Sequence, residues 1–164
     1  MKKISIVTPT FNEEENIERL CKEIKLEAES LNYEYEHIVI DNCSTDKTVN
    51  KLREISSKDK NVKVIINSRN YGHLKSPFHG ILQATGDACI LMVSDFQEPI
   101  NLISQYLKKW ENGAKIVLGE KNISEENNIM FSLRKLFYTS LNKISETKLS
   151  INTTGTGLFD KEVI

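Results

Sequence analysis

Short β-branched runs alternate with stretches of helical period along this chain, and that alternation constrains the fold more than any other feature. Residues 4–9, 35–41, 62–66, 87–92 and 115–119 read as strands. Between the first two, Ile17, Leu20, Cys21, Ile24, Ala28 and Leu31 fall on one helical stripe, with Asn12 or Thr10 as its cap and Glu13, Glu14 and Glu15 in its first turn. Val49, Leu52 and Ile55 mark a second helix. Pro77 is expected to confine a third to residues 78–84, and Ile100, Ile103, Leu107 and Trp110 form a fourth, ended by Gly113. Strands and helices in this rhythm predict βαβ crossovers: an α/β fold whose mostly parallel sheet is flanked by helices. Past the fifth strand, residues 120–128 read as a polar loop and residues 129–144 as a helix with Leu133, Leu136, Phe137, Leu141 and Ile144 on one face. The tail from Thr153 reads as a glycine-loosened loop running into a short strand.

At 164 residues the chain suits one domain, taken here as residues 1–164. A net charge of −1 gives no global pull toward nucleic acid or an anionic membrane. Cys21, Cys43 and Cys89 are far apart and form no CxxC pair, which argues against a disulfide framework or zinc site and fits a reducing cytosol. The apolar stretches at residues 4–7 and 88–93 are too short for a signal peptide or a membrane span, so a soluble, cytoplasmic chain is expected.

In a parallel sheet the carboxyl ends of the strands share one edge, where such folds bind ligands. Three strands deliver polar groups there. The first ends on Thr8-Pro9-Thr10, with Asn12 and Glu13 following; the second ends on Asp41; the fourth runs into Val93-Ser94-Asp95-Phe96-Gln97-Glu98-Pro99. Asp95, Gln97 and Glu98 put three oxygen-bearing side chains within four residues, a set suited to a hard divalent cation that phosphate oxygens help to hold. Taken alone, the same stretch reads first as an acidic strand-to-helix turn, with Glu98 and Pro99 starting the next helix. No GxxxxGK[ST] or GxGxxG loop follows the first strand, so a diphosphate would be met by a cation and by side chains such as Arg69, His73 and Lys75, on the loop after the third strand. His37, His79 and Trp110 read as packing residues.

Several stretches resemble family-2 glycosyltransferases. Residues 6–17 (IVTPTFNEEENI) are similar to the opening of that family, and residues 40–48 (IDNCSTDKT) to its VDDGSTDGT turn. Residues 68–73 (SRNYGH) and 84–87 (ATGD) match two further family stretches. Residues 94–99 (SDFQEP) resemble DADLQDPPE in the polyprenyl-phosphate sugar transferases of the dolichyl-phosphate mannose synthase type, and residues 154–160 (TGTGLFD) resemble TGFGLYDR of bacterial members.

The resemblance implies a Rossmann-like GT-A domain and an inverting, metal-dependent transferase. It would move a sugar from a nucleoside-diphosphate donor to a polyprenyl phosphate or a growing cell-surface glycan. Carried over, Pro9, Thr10, Asn12, Glu13, Asp41 and Asn42 line the nucleotide-sugar pocket with Arg69 nearby. Asp95 is the catalytic carboxylate, holding Mg²⁺ or Mn²⁺ with Gln97 and Glu98. Two positions depart from the family: Asn42 replaces the second aspartate of the turn, and Val93 the first aspartate of DAD. They keep a second reading open, a catalytically impaired nucleotide- or glycan-binding module. Asp160 is a candidate general base for a hydroxyl acceptor. Members that use lipid carriers continue into membrane-associated helices, so this chain is expected to be the catalytic part of a longer protein, working in the cytoplasm or at the inner face of the cytoplasmic membrane. Membrane association is then expected only through segments beyond residue 164 or through a partner.

Overall fold

A computed structural model describes residues 1–120, 137–141, 143–145 and 153–164. Among them, β1 (Lys3–Thr10), β2 (Glu34–Asp41), β3 (Val62–Ile66), β4 (Ala88–Leu91), β5 (Ile116–Glu120) and β6 (Thr153–Asp160) form a six-stranded sheet in the order β3-β2-β1-β4-β6-β5. β1 pairs in parallel with β2 and β4, and β2 with β3, while β6 runs antiparallel to β4. The sheet is mixed, with a parallel half built by three crossovers: α1 (Ile17–Ser30), α2 (Thr48–Lys58) and α3 (Gly72–Leu82). Another helix, α4 (Leu102–Glu111), follows β4.

The alternation of side chains along each strand divides the core in two. Ile4, Ile6, Val39 and Ile90 pack with Ile17, Leu20 and Ile24 of α1, Leu52 of α2 and Ile103 and Trp110 of α4. Val7, Ile38, Ile40 and Cys89 form a thinner core with Ile65, Ile81 and Ala84 on the side of α3. Buried Glu36 closes that thinner layer: Ser5 Oγ (2.6 Å) and Thr85 N (2.8 Å) donate to its Oε1, and Lys63 Nζ (2.5 Å) to its Oε2. Burial alone would raise the Glu36 carboxyl, but the hydrogen bonds from Lys63, Ser5 and Thr85 outweigh it and hold the group down at about 2.

Three local expectations are corrected. α1 starts at Ile17 with Asn16 as its cap residue, so Glu13 to Glu15 lie in the approach turn, and neither Thr10 nor Asn12 caps the helix. The two loops pull the chain elsewhere: Asn12 Oδ1 accepts from Thr45 N (2.8 Å), and Glu14 Oε2 from Lys47 N (2.8 Å). α3 starts at Gly72 and runs through Pro77, so His73 and Lys75 are helical rather than in a loop. The start is set from outside the helix: Gly72 takes φ +82, and Asn42 and Asn70 side chains accept from Tyr71 N (2.9 Å) and Gly72 N (2.8 Å). β6 is an eight-residue strand that includes Gly155 and Gly157; at Gly157, pairing with β4 (Leu91 opposite Gly157, Ala88 opposite Asp160) overrides the weak strand preference of glycine.

Residues 1–117 and 155–164 form one compact unit and 118–154 a second. Within the second, residues 137–141, 143 and 144 are helical, with Phe137 and Ile144 exposed. The loop expected at 120–128 is corrected at its first residue, since Glu120 ends β5; residues 121–128, with Leu133 and Leu136, lie outside the described residues. No helix among the described residues is long and apolar enough to cross a membrane.

Candidate functional site

The loops leaving β1, β2 and β4 meet at the carboxyl edge of the parallel strands, and each holds one non-glycine residue in the left-handed region: Asn12 (φ 55), Cys43 (φ 67) and Phe96 (φ 56). Such conformations cost on the order of 1–2 kcal/mol each and persist only where surrounding contacts impose them. The contacts are present. Ser44 Oγ accepts from Asn12 N (2.8 Å), Thr48 Oγ1 from Glu13 N (2.9 Å), and Asp46 Oδ2 from Glu14 N (3.1 Å). Desolvation works against the Asp46 carboxylate, but its hydrogen bonds with Thr48 and Glu14 hold it below the ordinary aspartate value. The first two loops are thereby laced into one rigid rim.

Below that rim lies a cleft of about 810 Å³. Pro9, Thr10 and Glu13 line it from β1 and its loop, Asn42 from the loop after β2, and Val93, Ser94 and Asp95 from the turn after β4. His73, Leu74, Pro77, Phe78 and Ile81 line the side made by α3, and Gly155 comes from β6. Of the candidate site residues, Pro9, Thr10, Glu13, Asn42, His73 and Asp95 therefore share this cleft, while Asp41 is not among its lining residues. Asn12 serves the rim. Arg69 is exposed and stacks on Tyr71, its guanidinium carbon 4.9 Å from the ring centre. Gln97 and Glu98 occupy the same turn as Asp95 without lining the cleft, and Gln97 N donates to Asp95 Oδ1 (3.1 Å).

Asp41 and Thr10 are opposite each other in the β1–β2 register, and both are buried. Ser44 N donates to Asp41 Oδ2 at 2.9 Å, but Asp41 Oδ1 and Thr10 Oγ1 have no hydrogen-bond partner among the described residues. Buried oxygens left in that state cost free energy and are rare in folded proteins. Two of them side by side at a sheet edge form a ready acceptor pair for a ligand O–H or N–H.

Asn42 has a role that sequence reasoning did not find. Its Oδ1 accepts from Tyr71 N (2.9 Å) and Asn67 Nδ2 (3.2 Å), and its Nδ2 donates to Asn70 Oδ1 (2.9 Å). Asn67 Nδ2 in turn donates to Ser76 Oγ at 3.0 Å. An aspartate at 42 has no proton to give Asn70, so this network needs the amide. Read as a pocket residue that replaces a carboxylate, Asn42 gave no hint of this; its companions Asn67 and Asn70 were the available signal.

Asp160 does not belong to the cleft. It pairs with Ala88 at the start of β4, about 10 Å along the strand from Leu91 at three residues of rise. Trp110 Nε1 donates to its Oδ2 at 2.6 Å, and Lys115 Nζ lies 3.3 Å away. It is a structural anion and is withdrawn as a candidate base.

A divalent cation fits the donor chemistry in one form only. Among the described residues no three His, Cys, Asp or Glu side chains gather as a protein-made metal cage. The cleft has one carboxylate on each side, Glu13 after β1 and Asp95 after β4, and so few protein oxygens suit a cation that takes most of its ligands from phosphate and water.

Comparison with known proteins gives the family and the fold. The chain is 34% identical over 163 residues to the prophage bactoprenol glucosyl transferase homolog of Escherichia coli K12, covering 99% of this chain and 53% of the relative. It thus spans about half the length of that relative. The crystal structure of S. aureus TarS 1-349 in complex with UDP superposes with a TM-score of 0.53 at 25% identity, over 76% of this chain and 37% of that one. For glucosyl-3-phosphoglycerate synthase from Mycobacterium tuberculosis, in complex with Mn²⁺, UDP and phosphoglyceric acid, the TM-score is 0.68 at 20% identity, over 98% and 56% of the two chains; at that identity the likeness speaks for the fold alone. The Glycosyl transferase family 2 pattern matches residues 5–164, and the chain belongs to that family.

Proposed function

We propose that this chain is the donor-binding and catalytic part of an inverting glycosyltransferase, moving a sugar from a nucleoside diphosphate to a polyprenyl phosphate or a glycan acceptor. The observation that carries the reading is the pair of unpartnered buried oxygens, Thr10 Oγ1 and Asp41 Oδ1, beside a cleft with Asp95 on its β4 side. A nucleobase N–H or ribose hydroxyl satisfies the pair, and the diphosphate then extends toward Asp95. Asp95, with Gln97 and Glu98 in the same turn, would hold Mg²⁺ or Mn²⁺ against the diphosphate. A cation bound there would act as a Lewis acid and offset the charge of the departing nucleoside diphosphate. The acceptor oxygen forms its bond to the anomeric carbon on one face as the bond to the β-phosphate oxygen breaks on the other. A phosphate acceptor is already anionic at neutral pH and needs no base, consistent with Asp160 being engaged elsewhere. The name of the E. coli relative, a bactoprenol glucosyl transferase homolog, favours this lipid phosphate class of acceptor. On this reading the reaction takes place in the cytoplasm, at the inner membrane face when the acceptor is a lipid.

Isothermal titration with UDP, GDP and dTDP, in Mg²⁺ or Mn²⁺ and then in EDTA, tests the reading. One nucleotide is expected to bind in the presence of metal, and Asp95→Ala to weaken it at least about tenfold, the loss of one charge-assisted contact. Folded protein that binds none of the three sinks the proposal, and unchanged affinity in the variant removes Asp95. A second reading, an impaired binding module, draws on Val93, which lines the cleft where an acid is usual in the family. Turnover of any nucleotide sugar above the buffer rate excludes it.

A further inference from the structure

α3 is packed by its small residues and exposes its large ones. Ser76 and Gly80 are its buried positions, and a Cβ built on Gly80 would come within 2.7 Å of Val7 Cγ1, so the helix lies tight against the sheet. Leu74, Phe78 and Leu82, at i, i+4 and i+8 along the opposite face, are 74%, 61% and 50% exposed. A soluble helix with no further partner carries the reverse pattern. Lys75 and His79, also four apart, flank the stripe on one side. They line a second cavity, of about 460 Å³, together with Ser68 and Tyr71, whose hydroxyls lie 3.2 Å apart. The charge around it is one-sided. Among the described residues no aspartate or glutamate lines it, while Lys75 does and the exposed Arg69 stacks on Tyr71 beside it.

We infer that the outer face of α3 docks on an anionic phospholipid surface, with Leu74, Phe78 and Leu82 entering the acyl boundary and a headgroup phosphate held by Lys75 and the Ser68 and Tyr71 hydroxyls. An apolar stripe bordered by cations is the pattern of helices that lie in the membrane interface, and a cation-lined cavity beside it supplies the complement to a lipid phosphate. A protein partner would need only the apolar stripe; the cavity beside it, lined by Lys75 and two hydroxyls and by no carboxylate among the described residues, favours the lipid. This assigns membrane contact to the domain itself, where the sequence suggested contact only through other segments or a partner. Since Leu74 and Phe78 also line the candidate cleft, docking would bring that cleft to the bilayer surface. The inference does not depend on the identity of the donor.

Co-sedimentation of the full chain with phosphatidylcholine vesicles, with and without phosphatidylglycerol, tests it. The partition coefficient is expected to be at least about tenfold higher on the anionic vesicles and to fall with added salt. The triple variant Leu74→Ser, Phe78→Ser, Leu82→Ser should lose at least about tenfold, since each side chain contributes its own apolar burial. Lys75→Glu should remove the preference for phosphatidylglycerol. These side chains are exposed, so circular dichroism and thermal melting of the variants should match the parent. Equal partition onto both vesicles, no partition at all, or an unaffected triple variant overturns the proposal. So does inorganic phosphate displacing the protein from vesicles at constant ionic strength, which would assign the cavity to a soluble anion. A solution dimer that the triple variant dissociates also overturns it, by assigning the face to a second copy.

Discussion

At the scale of single residues, the site edge is held in conformations that its side chains disfavour, and this yields a test. Cys43 sits at φ 67 in the loop after β2, at the position where the family turn VDDGSTDGT carries its first glycine. Relieving a left-handed cysteine is worth about 1–2 kcal/mol, and the extra freedom of glycine in the unfolded chain takes back up to about 1 kcal/mol. Cys43→Gly should therefore leave stability unchanged or raise it by up to about 1 kcal/mol in urea titration; a loss above about 1 kcal/mol would mean that the thiol makes a contact outweighing the strain. His37 gives a prediction in pH. It is wholly buried, its Nε2 is 2.9 Å from Thr8 Oγ1, and burial, against a smaller opposing pull from Asp59, lowers it from 6.5 to about 4. The unfolded chain then takes up a proton at a higher pH than the folded one does. The His37 contribution to stability is intact above about 6.5 and is lost as pH falls toward about 4. Denaturant midpoints across that window should drop in the parent and flatten in His37→Gln; parallel curves would remove His37 as the cause. His37 as a packing residue was legible from its place inside a strand. Asn42 was not, because its meaning lies in partners at 67, 70 and 71 that only the folded chain brings near.

At the scale of elements, the period of the apolar residues carried most of the information. Five of the α1 stripe positions are buried, as are Ile103, Leu107 and Trp110 of α4. The expectations that failed did so where a tertiary contact overrides a local preference: the Asn42 network starts α3 five residues ahead of Pro77, and pairing with β4 straightens β6 at Gly157. Spacing between elements was likewise out of reach of periodicity. A Cβ on Gly86 would stand 2.8 Å from Ser5 N and 2.9 Å from the Lys3 carbonyl oxygen, both backbone atoms of β1. On Gly80 the nearest atoms are side-chain carbons, Val7 Cγ1 at 2.7 Å and Ile40 Cγ2 at 3.2 Å. Side chains yield more readily than a central strand. Gly80→Ala should cost about 1–3 kcal/mol, the usual range for overpacking, and Gly86→Ala at least as much. Chemical denaturation of the two variants checks the order, and a Gly86→Ala protein as stable as the parent would mean that the turn before β4 shifts freely.

At the scale of the whole molecule, a parallel half-sheet turns residues distant in sequence into neighbours, which is why β1, β2 and the turn after β4 could be expected at one edge from the strand pattern alone. The pattern could not say which of those groups the fold leaves unpartnered. Thr10 Oγ1 and Asp41 Oδ1 are buried acceptors that lower the stability of the free protein and gain a partner only with ligand. That links stability to binding in a direction opposite to ordinary core residues. Thr10→Val keeps the shape and removes the unmatched hydroxyl, so the free protein should melt at the same temperature as the parent or higher. A nucleoside diphosphate with Mg²⁺ at a hundredfold excess over its dissociation constant stabilises by about 2.7 kcal/mol, a rise in Tm of roughly 5–10 °C for a chain of this size. In Thr10→Val the affinity should fall about fivefold, the worth of one neutral hydrogen bond, and the Tm rise should shrink at equal ligand concentration. Differential scanning calorimetry of both proteins, with and without nucleotide, separates the two effects. A variant that melts lower than the parent when free shows the hydroxyl to be satisfied within the fold, and an equal rise with nucleotide in both proteins takes Thr10 out of the donor pocket.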